Sequence, residues 1–459
     1  VNRSRRGSFT QFALLILPLL ILCWGSVRAG TIDWDRVRDE SVDHLSRYLR
    51  ISTYNPPADT RKAVEFLRSI LEKEGIQVKV FDAGEGRQNL LARIPGNGSG
   101  RKPLLLLHHI DVGPADPELW SHPPLGGVIA GQYLWGRGAI DMKGMGIMEL
   151  MAFLLAKRQN LRMDRDLLYL AVAEEETGGE RGARWMVENH WEELDPEYVW
   201  DEGLVGTEKL FTERGVVWGI SVAEKKVFWL RLIAEGTAGH GSQPHDDNPV
   251  DVIARAIARL SAHRFPAARN AVVEEIFQRL EEPIANKFTN AIQRNTCSLT
   301  TMTAGVGDPP KVNVIPSRAE ATIDCRILPD VDPDEFLDQL KEIMGKEMFD
   351  AGRIRIETIQ EAEKSGTTTR FDSDLFLAMQ QVVEESLPGS VAVPVLVPWG
   401  TDSRYFRERG VKAYGFIPII VGPGELARMH GVDERISIEN VGLGTRLIYQ
   451  IIERFTGGQ

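Results

Sequence analysis

The alternation of hydrophobic and polar residues predicts a layered α/β fold over residues 31–215. Between residues 60 and 74, apolar residues recur every three or four positions, which is the spacing of one helix face, and Gly75 follows where a left-handed cap would end the helix. The apolar runs 104–107 and 167–173 are uninterrupted, which is typical of strands buried on both faces. Helices that alternate with such strands indicate a central sheet covered by helices.

A second pattern begins near Val217. The predicted elements, in order, are strands at 217–222 and 226–234, a helix at 249–263, strands at 298–303 and 311–327, a helix at 333–346 and a strand at 354–359. After the opening hairpin, the order strand-helix-strand-strand-helix-strand is that of a ferredoxin-like unit. The polar, helix-prone stretch 264–296 is not needed by such a unit, and we predict an added helical hairpin there.

The N-terminus has the three-part pattern of a secretory signal peptide. The basic stretch Arg3 to Arg6 precedes an apolar run at 12–24, and small residues follow as far as Ala29. The run is shorter than the ~20 apolar residues of a spanning helix, so we expect cleavage after Ala29, a secreted or periplasmic protein and no stable membrane span. Two alternatives stay open: an uncleaved N-terminal anchor, and a lipoprotein attached through Cys23, which the bulky Leu22 disfavours.

Composition and charge limit the classes of protein that remain. The 459 residues have ordinary apolar and charged fractions, which suit two domains with real cores. The formal net charge of −11 repels phosphate backbones and argues against nucleic acid as a partner. After cleavage only Cys297 and Cys325 remain, too few for a disulfide framework, and a single bridge between them stays open.

Acidic residues and histidines form five clusters, three of them directly after predicted strands. The clusters are LHHID at 107–111, GAIDMKG at 138–144, EEETGG at 174–179, WDEG at 200–203 and MHG at 429–431. Ligand sites in open α/β sheets form at the carboxyl ends of strands. Together the clusters supply two histidines and three carboxylates as ligands, with one glutamate left to act as a base. This inventory indicates bound zinc and a water made nucleophilic.

The five clusters, with GHGSQP at 239–244 and GTDS at 400–403, resemble the M20 family of metallopeptidases and aminoacylases. Seven segments match in order over nearly the whole mature chain, which makes the resemblance specific. The stretch 286–294, NVIP at 313–316 and Arg326 look most like the carboxypeptidase S and N-fatty-acyl-amino-acid hydrolase branch. The resemblance implies an α/β fold: a zinc-peptidase-like catalytic domain with a mixed central sheet, plus an inserted ferredoxin-like α+β lid that also carries the dimer interface.

The chain is therefore expected to have four segments. They are a signal peptide at 1–29, a first part of the catalytic domain at 30–216, a lid and dimerisation domain at 217–362 with the helical insertion near 264–296, and a second part of the catalytic domain at 363–459. The insertion of the lid is inferred because a metal-binding histidine, His430, comes well after it.

The expected cofactors are two divalent metal ions, with zinc favoured and cobalt or manganese also suited to nitrogen and oxygen ligands. A carboxylate has two oxygens, so Asp141 is the natural bridge, and by resemblance it contacts both ions. We assign His109 and Asp201 to one ion, and Glu176 and His430 to the other. Each ion then has three protein ligands and an open position for water and substrate.

Asp111 and Glu175 complete the expected chemistry. Asp111 lies two positions after His109 on an extended segment, so both side chains point to the same side and the carboxylate can support the imidazole. The adjacent carboxylates at 174–176 repel one another unless cations compensate. Matching the family pattern places Glu175 as the general base, which takes a proton from water and passes it to the leaving nitrogen.

Five further positions have roles that the resemblance implies. His240 corresponds to a lid histidine that reaches the site of a partner subunit and stabilises the oxyanion, which implies a homodimer with composite sites. Asn313 and Arg326 hold the substrate's carboxylate, a task suited to a planar guanidinium. Gly400 and Thr401 line the substrate pocket.

The sequence thus predicts a hydrolase that cleaves the amide bond of a peptide or N-acyl amino acid and releases a C-terminal amino acid. One alternative is a dipeptidase or deacylase whose substrate lacks a terminal carboxylate, which would leave Arg326 little binding role. The other is a metal-free binding module, because fold alone does not give function. The complete ligand set argues against that second alternative.

Overall fold

The computed structural model describes residues 31–280, 283–362 and 368–457. The predicted signal peptide lies outside the described residues. Among the helices within these ranges, none combines the length and the apolar character that crossing a membrane requires.

Thirteen α-helices and seventeen strands are present in these ranges. The helices are α1 (Trp34–Leu49), α2 (Arg61–Lys73), α3 (Lys143–Arg158), α4 (Ala183–Asn189), α5 (Trp191–Leu194), α6 (Pro249–Ala262), α7 (Ala271–Arg279), α8 (Lys287–Ala291), α9 (Pro333–Met344), α10 (Lys346–Asp350), α11 (Asp374–Ser386), α12 (Ser403–Arg407) and α13 (Ile438–Thr456). The strands are β1 (Val78–Asp82), β2 (Gln88–Ile94), β3 (Arg101–His109), β4 (Val128–Ala130), β5 (Tyr133–Trp135), β6 (Arg165–Val172), β7 (Tyr198–Glu208), β8 (Val216–Glu224), β9 (Lys226–Glu235), β10 (Gly239–His240), β11 (Thr296–Ala304), β12 (Val314–Ile315), β13 (Arg318–Ile327), β14 (Ile354–Gln360), β15 (Val391–Val397), β16 (Lys412–Val421) and β17 (Arg435–Ser437).

The larger unit is built on an eight-stranded mixed sheet in the order β1-β2-β6-β3-β7-β16-β8-β15. Strands β6, β3 and β7 run parallel, whereas β1 and β2 pair antiparallel. This confirms the predicted mixed central sheet. Because β3 and β6 run parallel and end side by side, with His109 paired to Val172, the residues that follow them emerge at one edge. That edge carries the candidate site.

The smaller unit has the ferredoxin-like arrangement that was predicted for the lid, and it is called the lid below. Its four antiparallel strands lie in the order β11-β13-β9-β14, and α6 and α9 pack together over one face. Numbered along the chain, this order is 2-3-1-4, and with the helices after the first and third strands it is the ferredoxin-like arrangement. Its core includes Leu230, Ile253, Ile323 and Leu340, each at most 1% exposed.

The predicted start of the lid at residue 217 is wrong. Strand β8 pairs with β15 in the central sheet, and the chain enters the lid only at β9. The predicted opening hairpin is therefore wrong as well, because β8 and β9 belong to different sheets. Both strands are apolar, and hydrophobicity does not tell which sheet a strand joins. The crossing between the units falls at Lys225.

The stretch 264–296 contains the two short helices α7 and α8, as its composition predicted, but it packs on the larger unit. Helix α7 lies against the edge strand β15, where Arg279 Nη1 donates to the Ala392 carbonyl at 3.2 Å. Asn286 Nδ2 donates to the carbonyl of Leu210, beyond β7, at 2.7 Å. Helices α7 and α8 of the insertion thus contact the larger unit, whereas its first residues pack in the lid, where Phe265 lies in the core.

Cys297 and Cys325 form a disulfide within the lid. They occupy directly opposite positions on β11 and β13. The sequence left this pairing open, because residues 28 apart carry no local sign of facing each other across two strands. Arg326 follows the second cysteine on β13.

Candidate metal centre

The centre of the site is the carboxylate of Asp141, which follows the loop after β5. His109 Nε2 lies 3.0 Å from its Oδ1 atom, and His430 Nε2 lies 3.0 Å from its Oδ2 atom. The two imidazoles therefore approach different oxygens of one carboxylate. This is the geometry expected of a ligand that bridges two ions, and it comes from three residues far apart in the chain.

Two groups of ligand atoms surround this carboxylate. Asp141, Glu176 and His430 form one group, and His109, Glu175 and Glu202 form the other, with the ligand atoms of each group within 4.8 Å of one another. His430 Nε2 also lies 3.1 Å from Glu176 Oε2. Imidazole nitrogens and carboxylate oxygens are the donors that zinc and similar divalent ions take. The donor set therefore fits two such ions.

Glu202, not Asp201, joins His109 in this arrangement. Glu202 Oε1 lies 3.7 Å from His109 Nε2, whereas the Asp201 carboxylate accepts hydrogen bonds from Ser403 Oγ at 2.9 Å and from the Glu202 N–H at 2.8 Å. The geometry thus contradicts the assignment of Asp201 as a ligand. Strand β7 continues past both residues, and consecutive side chains of a strand point to opposite faces of the sheet. Glu202 therefore faces the site, whereas Asp201, one position earlier, points to the other face.

Asp111 supports the site in a different way from the expected one. The His109 Nδ1 atom lies 2.9 Å from the backbone carbonyl of Asp111, while the carboxylate Oδ1 is 3.6 Å away. The carboxylate instead accepts the N–H groups of Glu175 and Glu176 at 3.1 and 3.2 Å, together with Asn55 Nδ2 at 2.8 Å. Asp111 therefore orients His109 through its backbone and the two glutamates through its side chain.

A buried ion pair that the sequence analysis missed supports the loop of Asp141. The fully buried Glu434 carboxylate accepts the N–H groups of Gly138, Ile140 and Asp141 at 3.0, 2.8 and 3.1 Å, and Arg137 Nη1 donates to it at 2.8 Å. Arg137 Nη2 also donates to the His430 carbonyl at 3.2 Å. One pair thus positions two ligands. The only sign of this ion pair in the sequence is that Glu434 follows closely after His430 along the chain.

The electrostatics of the site favour the binding of cations. Burial, together with Asp402 and Glu176, raises the pKa of Glu175 well above its ordinary value, although His109 acts in the opposite direction. Burial and the neighbouring Asp141 likewise raise the pKa of Glu202. Hydrogen bonds that the His430 imidazole donates to the Asp141 and Glu176 carboxylates raise the pKa of His430 to about 10. Carboxylates crowded in this way cannot all be ionised without compensating positive charge, which divalent ions supply.

The predicted lid residues lie on two separate parts of the lid. His240 is exposed on β10, which pairs with β12, and the adjacent Gly241 N–H donates to the Asn313 carbonyl at 2.8 Å. Arg326 lies on β13 and bonds the Asp324 carboxylate through Nε at 2.7 Å and Nη2 at 3.2 Å. Within the described ranges, no hydrogen bond or ion pair joins these residues to the ligand groups.

Gly400 and Thr401 lie at the junction of the two units. The Thr401 N–H donates to the carboxylate of Glu224, the last residue of β8. A Cβ atom on Gly400 would lie 2.7 Å from Arg404 Nη1 and 3.3 Å from a methyl group of Val227 on β9. Only glycine therefore fits here without a shift of its neighbours, and the GTDS loop contacts both the catalytic sheet and the start of the lid.

The mixed sheet, the inserted lid and the two ligand groups, which meet where His109 contacts Asp141, define a metal-dependent hydrolase. Residues 105–454 match the model of peptidase family M20/M25/M40, which is well over half of the chain. The protein belongs to this family.

Similar proteins of known activity indicate the type of bond that members of this class hydrolyse. The N-fatty-acyl-amino acid synthase/hydrolase PM20D1 of Xenopus tropicalis is 28% identical, over 91% of this chain and 86% of its own. Aminoacylase-1 of Sus scrofa is 30% identical, over 86% and 90%. The fold matches the M20 metallo-carboxypeptidase Sso-CP2 of Sulfolobus solfataricus with a TM-score of 0.73 at 20% identity, covering 91% of this chain and 99% of that one. The protein is thus a metallohydrolase of amide bonds, related to carboxypeptidases and aminoacylases.

Proposed function

We propose that the protein is an exported binuclear zinc hydrolase that releases a C-terminal amino acid from peptides or N-acyl amino acids. The observation that carries this proposal is the Asp141 carboxylate, approached by His109 on one oxygen and His430 on the other, with Glu175 in the same cluster. Each residue type has a role in hydrolysis, and no other cluster of the described residues combines them.

The proposed ligands follow from the two groups. His109, Glu202 and Asp141 would hold one ion, and Asp141, Glu176 and His430 the other. Bound ions of this kind polarise a carbonyl oxygen and lower the pKa of water. Glu175 is left as the base. Its backbone is held in place because the Glu175 N–H donates to Asp111 Oδ1 at 3.1 Å. Its carboxylate would take the proton from water and return it to the amide nitrogen as the bond breaks.

A substrate carboxylate is proposed to bind at Arg326 and Asn313. The relative from Xenopus tropicalis is named for N-fatty-acyl amino acids and the one from Sus scrofa as an aminoacylase, and such substrates end in a carboxylate. One observation favours the alternative of a substrate without this group: Asp324 already occupies the Arg326 guanidinium through two nitrogens. A comparison of Arg326→Ala with wild type on a carboxylate substrate and its carboxamide distinguishes the two.

We also propose a homodimer formed through the lid. Strand β11 is an edge of the lid sheet, and it exposes 42% of Leu299 and 46% of Met302. An apolar, unpaired strand edge favours pairing with a second chain. Such a dimer would bring His240, which is exposed on the lid, to the partner's site as the oxyanion donor. Size-exclusion chromatography with light scattering tests the dimer, and a monomeric enzyme with full activity would refute the composite site.

The proposed export rests on two features. The signal-peptide pattern lies in residues 1–29, and the lid contains the Cys297–Cys325 disulfide. Disulfides persist in oxidising compartments and are rare in the cytosol. Fractionation of cells that express the full chain, with N-terminal sequencing of the product, should give an exported protein that begins after Ala29. A cytosolic product with the segment intact would contradict this part of the proposal.

A hydrolysis screen tests the reaction. N-acyl amino acids and dipeptides, each with a C-terminal carboxamide counterpart, are incubated with zinc-loaded and chelator-treated enzyme, and with Glu175→Gln. We expect activity on the carboxylate forms, loss with the chelator, and a drop of about 10³-fold for Glu175→Gln, the order of size of a general base. Metal analysis should give two ions per chain. Equal activity of the chelated enzyme would refute the metal-dependent mechanism.

A further inference from the structure

A buried lysine lies beside the residue proposed to bind the substrate carboxylate. Lys225, at the crossing from β8 to β9, is 1% exposed. Its Nζ atom donates to the Ala291 carbonyl at 3.2 Å and to Thr296 Oγ1 at 2.8 Å. Among the described residues, no carboxylate lies within ion-pair distance of this ammonium. Burying a cation without a counter-ion destabilises a protein. A functional role would explain why a lysine stands at this position.

The surroundings of Lys225 connect it to Arg326. Thr296, which accepts the lysine's hydrogen bond, lies directly opposite Arg326 on the neighbouring strand. On the other side of β13, Arg326 pairs with Val227, two residues after Lys225. Only the side chain of Thr296 thus lies between the Lys225 ammonium and the strand position of Arg326. The helical insertion takes part as well, because Ala291 is the last residue of α8.

The charges of this cluster do not cancel. Asp324 bonds Arg326 through two guanidinium nitrogens and also accepts the Trp229 Nε1–H at 3.0 Å. Arg326 is therefore neutralised by Asp324 before any substrate arrives, and below about pH 7 the positive charge that remains belongs to Lys225. Burial and the charge of Arg326 lower the pKa of Lys225 to about 7, and Asp324 opposes them. A bound carboxylate would favour the ammonium form.

We propose that Lys225 is a specificity-determining residue, which supplies the net positive charge that selects substrates with a terminal carboxylate at Arg326. The inference rests on the proposed role of Arg326. Lys225 acts from behind that residue, through the low-dielectric interior and through Thr296, and it need not touch the substrate. It also gives the helical insertion a function, because α8 contributes the carbonyl that holds the ammonium in place.

The test compares one substrate with its uncharged counterpart. kcat and KM are measured for an N-acyl amino acid and for the same compound with a carboxamide in place of the carboxylate. In Lys225→Met, the KM of the carboxylate substrate should rise roughly tenfold, the size of one charge at about 10 Å in a protein interior. Its kcat, and both constants for the carboxamide, should stay within about twofold of wild type.

Lys226→Met is the matched control. Lys226 is also buried, at 3% exposed, but its Nζ atom donates to the Val331 carbonyl, whereas Lys225 donates to Ala291 and Thr296. This variant should keep the wild-type ratio of the two KM values. Lys225→Gln retains a donor for Thr296 without the charge, so it should match Lys225→Met, and it decides the question if the methionine variant fails to fold.

The possible outcomes are distinguishable. A wild-type KM ratio in a folded Lys225 variant would overturn the proposal, as would an equal loss of kcat on both substrates, which indicates a purely structural role. A raised KM in Arg326→Ala with no change in the Lys225 variants rejects this inference alone. An unchanged KM in Arg326→Ala rejects the carboxylate site itself, and with it the proposed substrate class.

Discussion

Replacing Glu434 with glutamine should lower both the stability and the metal affinity of the protein, although Glu434 is not itself a proposed metal ligand. The two oxygens of this carboxylate each accept two hydrogen bonds: Oε1 from the N–H groups of Ile140 and Asp141, and Oε2 from the Gly138 N–H and from Arg137. Glutamine keeps one oxygen and presents an NH₂ group to the other two donors. Arg137, 3% exposed, is then left as a buried cation without its partner.

The expected loss in the free energy of unfolding is large for the replacement of one carboxylate oxygen by an NH₂ group. Two hydrogen bonds to a charged group are each worth about 1.5–3 kcal/mol, and removing one partner of a buried ion pair typically costs about 3–5 kcal/mol. We therefore expect the apo enzyme to lose about 4 kcal/mol of stability, which lowers Tm by roughly 10 °C for a unit of this size. Because the same residues position Asp141 and His430, zinc affinity should fall about 10–100-fold, as for other residues that orient ligands.

The assay has two parts. Thermal unfolding of chelated protein reports stability, and zinc titration of chelated protein, followed by activity, reports affinity. Glu439→Gln is the control, since Glu439 is an exposed acid in the first turn of α13, and it should leave both measurements near wild type. If Glu434→Gln unfolds within about 2 °C of wild type and binds zinc as tightly, the hydrogen-bonding argument is wrong.

Three further predictions concern other parts of the chain. Glu202→Gln should leave one metal ion per chain by elemental analysis, whereas Asp201→Asn should retain both. Because the folded-state pKa of Lys225 is about 7, the unfolded chain binds more protons between pH 7 and about 10; the stability of wild type relative to Lys225→Met, measured by urea unfolding, should therefore increase with pH across that window. Serine at both Cys297 and Cys325 should lower stability by about 3 kcal/mol, and a reducing agent should lower wild type equally but not the variant. A reductant effect on the double variant would contradict the assigned bridge.

The sequence predicted most of the ligand set: His109 and Glu176 lie at or just after the ends of buried strands, whereas the roles of Asp141 and His430 came from the resemblance to the M20 family. Such ends meet at one edge of a parallel sheet whatever the chain distance between them, and the structure brings together His109, Asp141, Glu176 and His430 beside Glu175. The error at Asp201 came from the same reasoning. Strand β7 does not end before Asp201 but continues to Glu208, and the alternation of its side chains selects Glu202.

Residues that act through long-range contacts carry no comparable signal. Asn55 meets Asp111 across 56 residues, and Glu434 meets Asp141 across 293. Their roles depend on where a loop is placed, which apolar periodicity does not predict. The start of the lid was misplaced for a related reason: β8 and β9 have similar apolar character, and only the pairing of β8 with β15 shows to which sheet it belongs.

The helical insertion changes how the lid is attached. A lid joined to its base only where the chain enters and leaves would be free to rotate about the line through those two passages. In this protein a third segment is anchored away from them, where Arg279 reaches Ala392 on the edge strand and Asn286 reaches Leu210. Rotation about that line would have to break these bonds. The insertion therefore gives the lid a third point of attachment to the larger unit, which restricts a hinge motion.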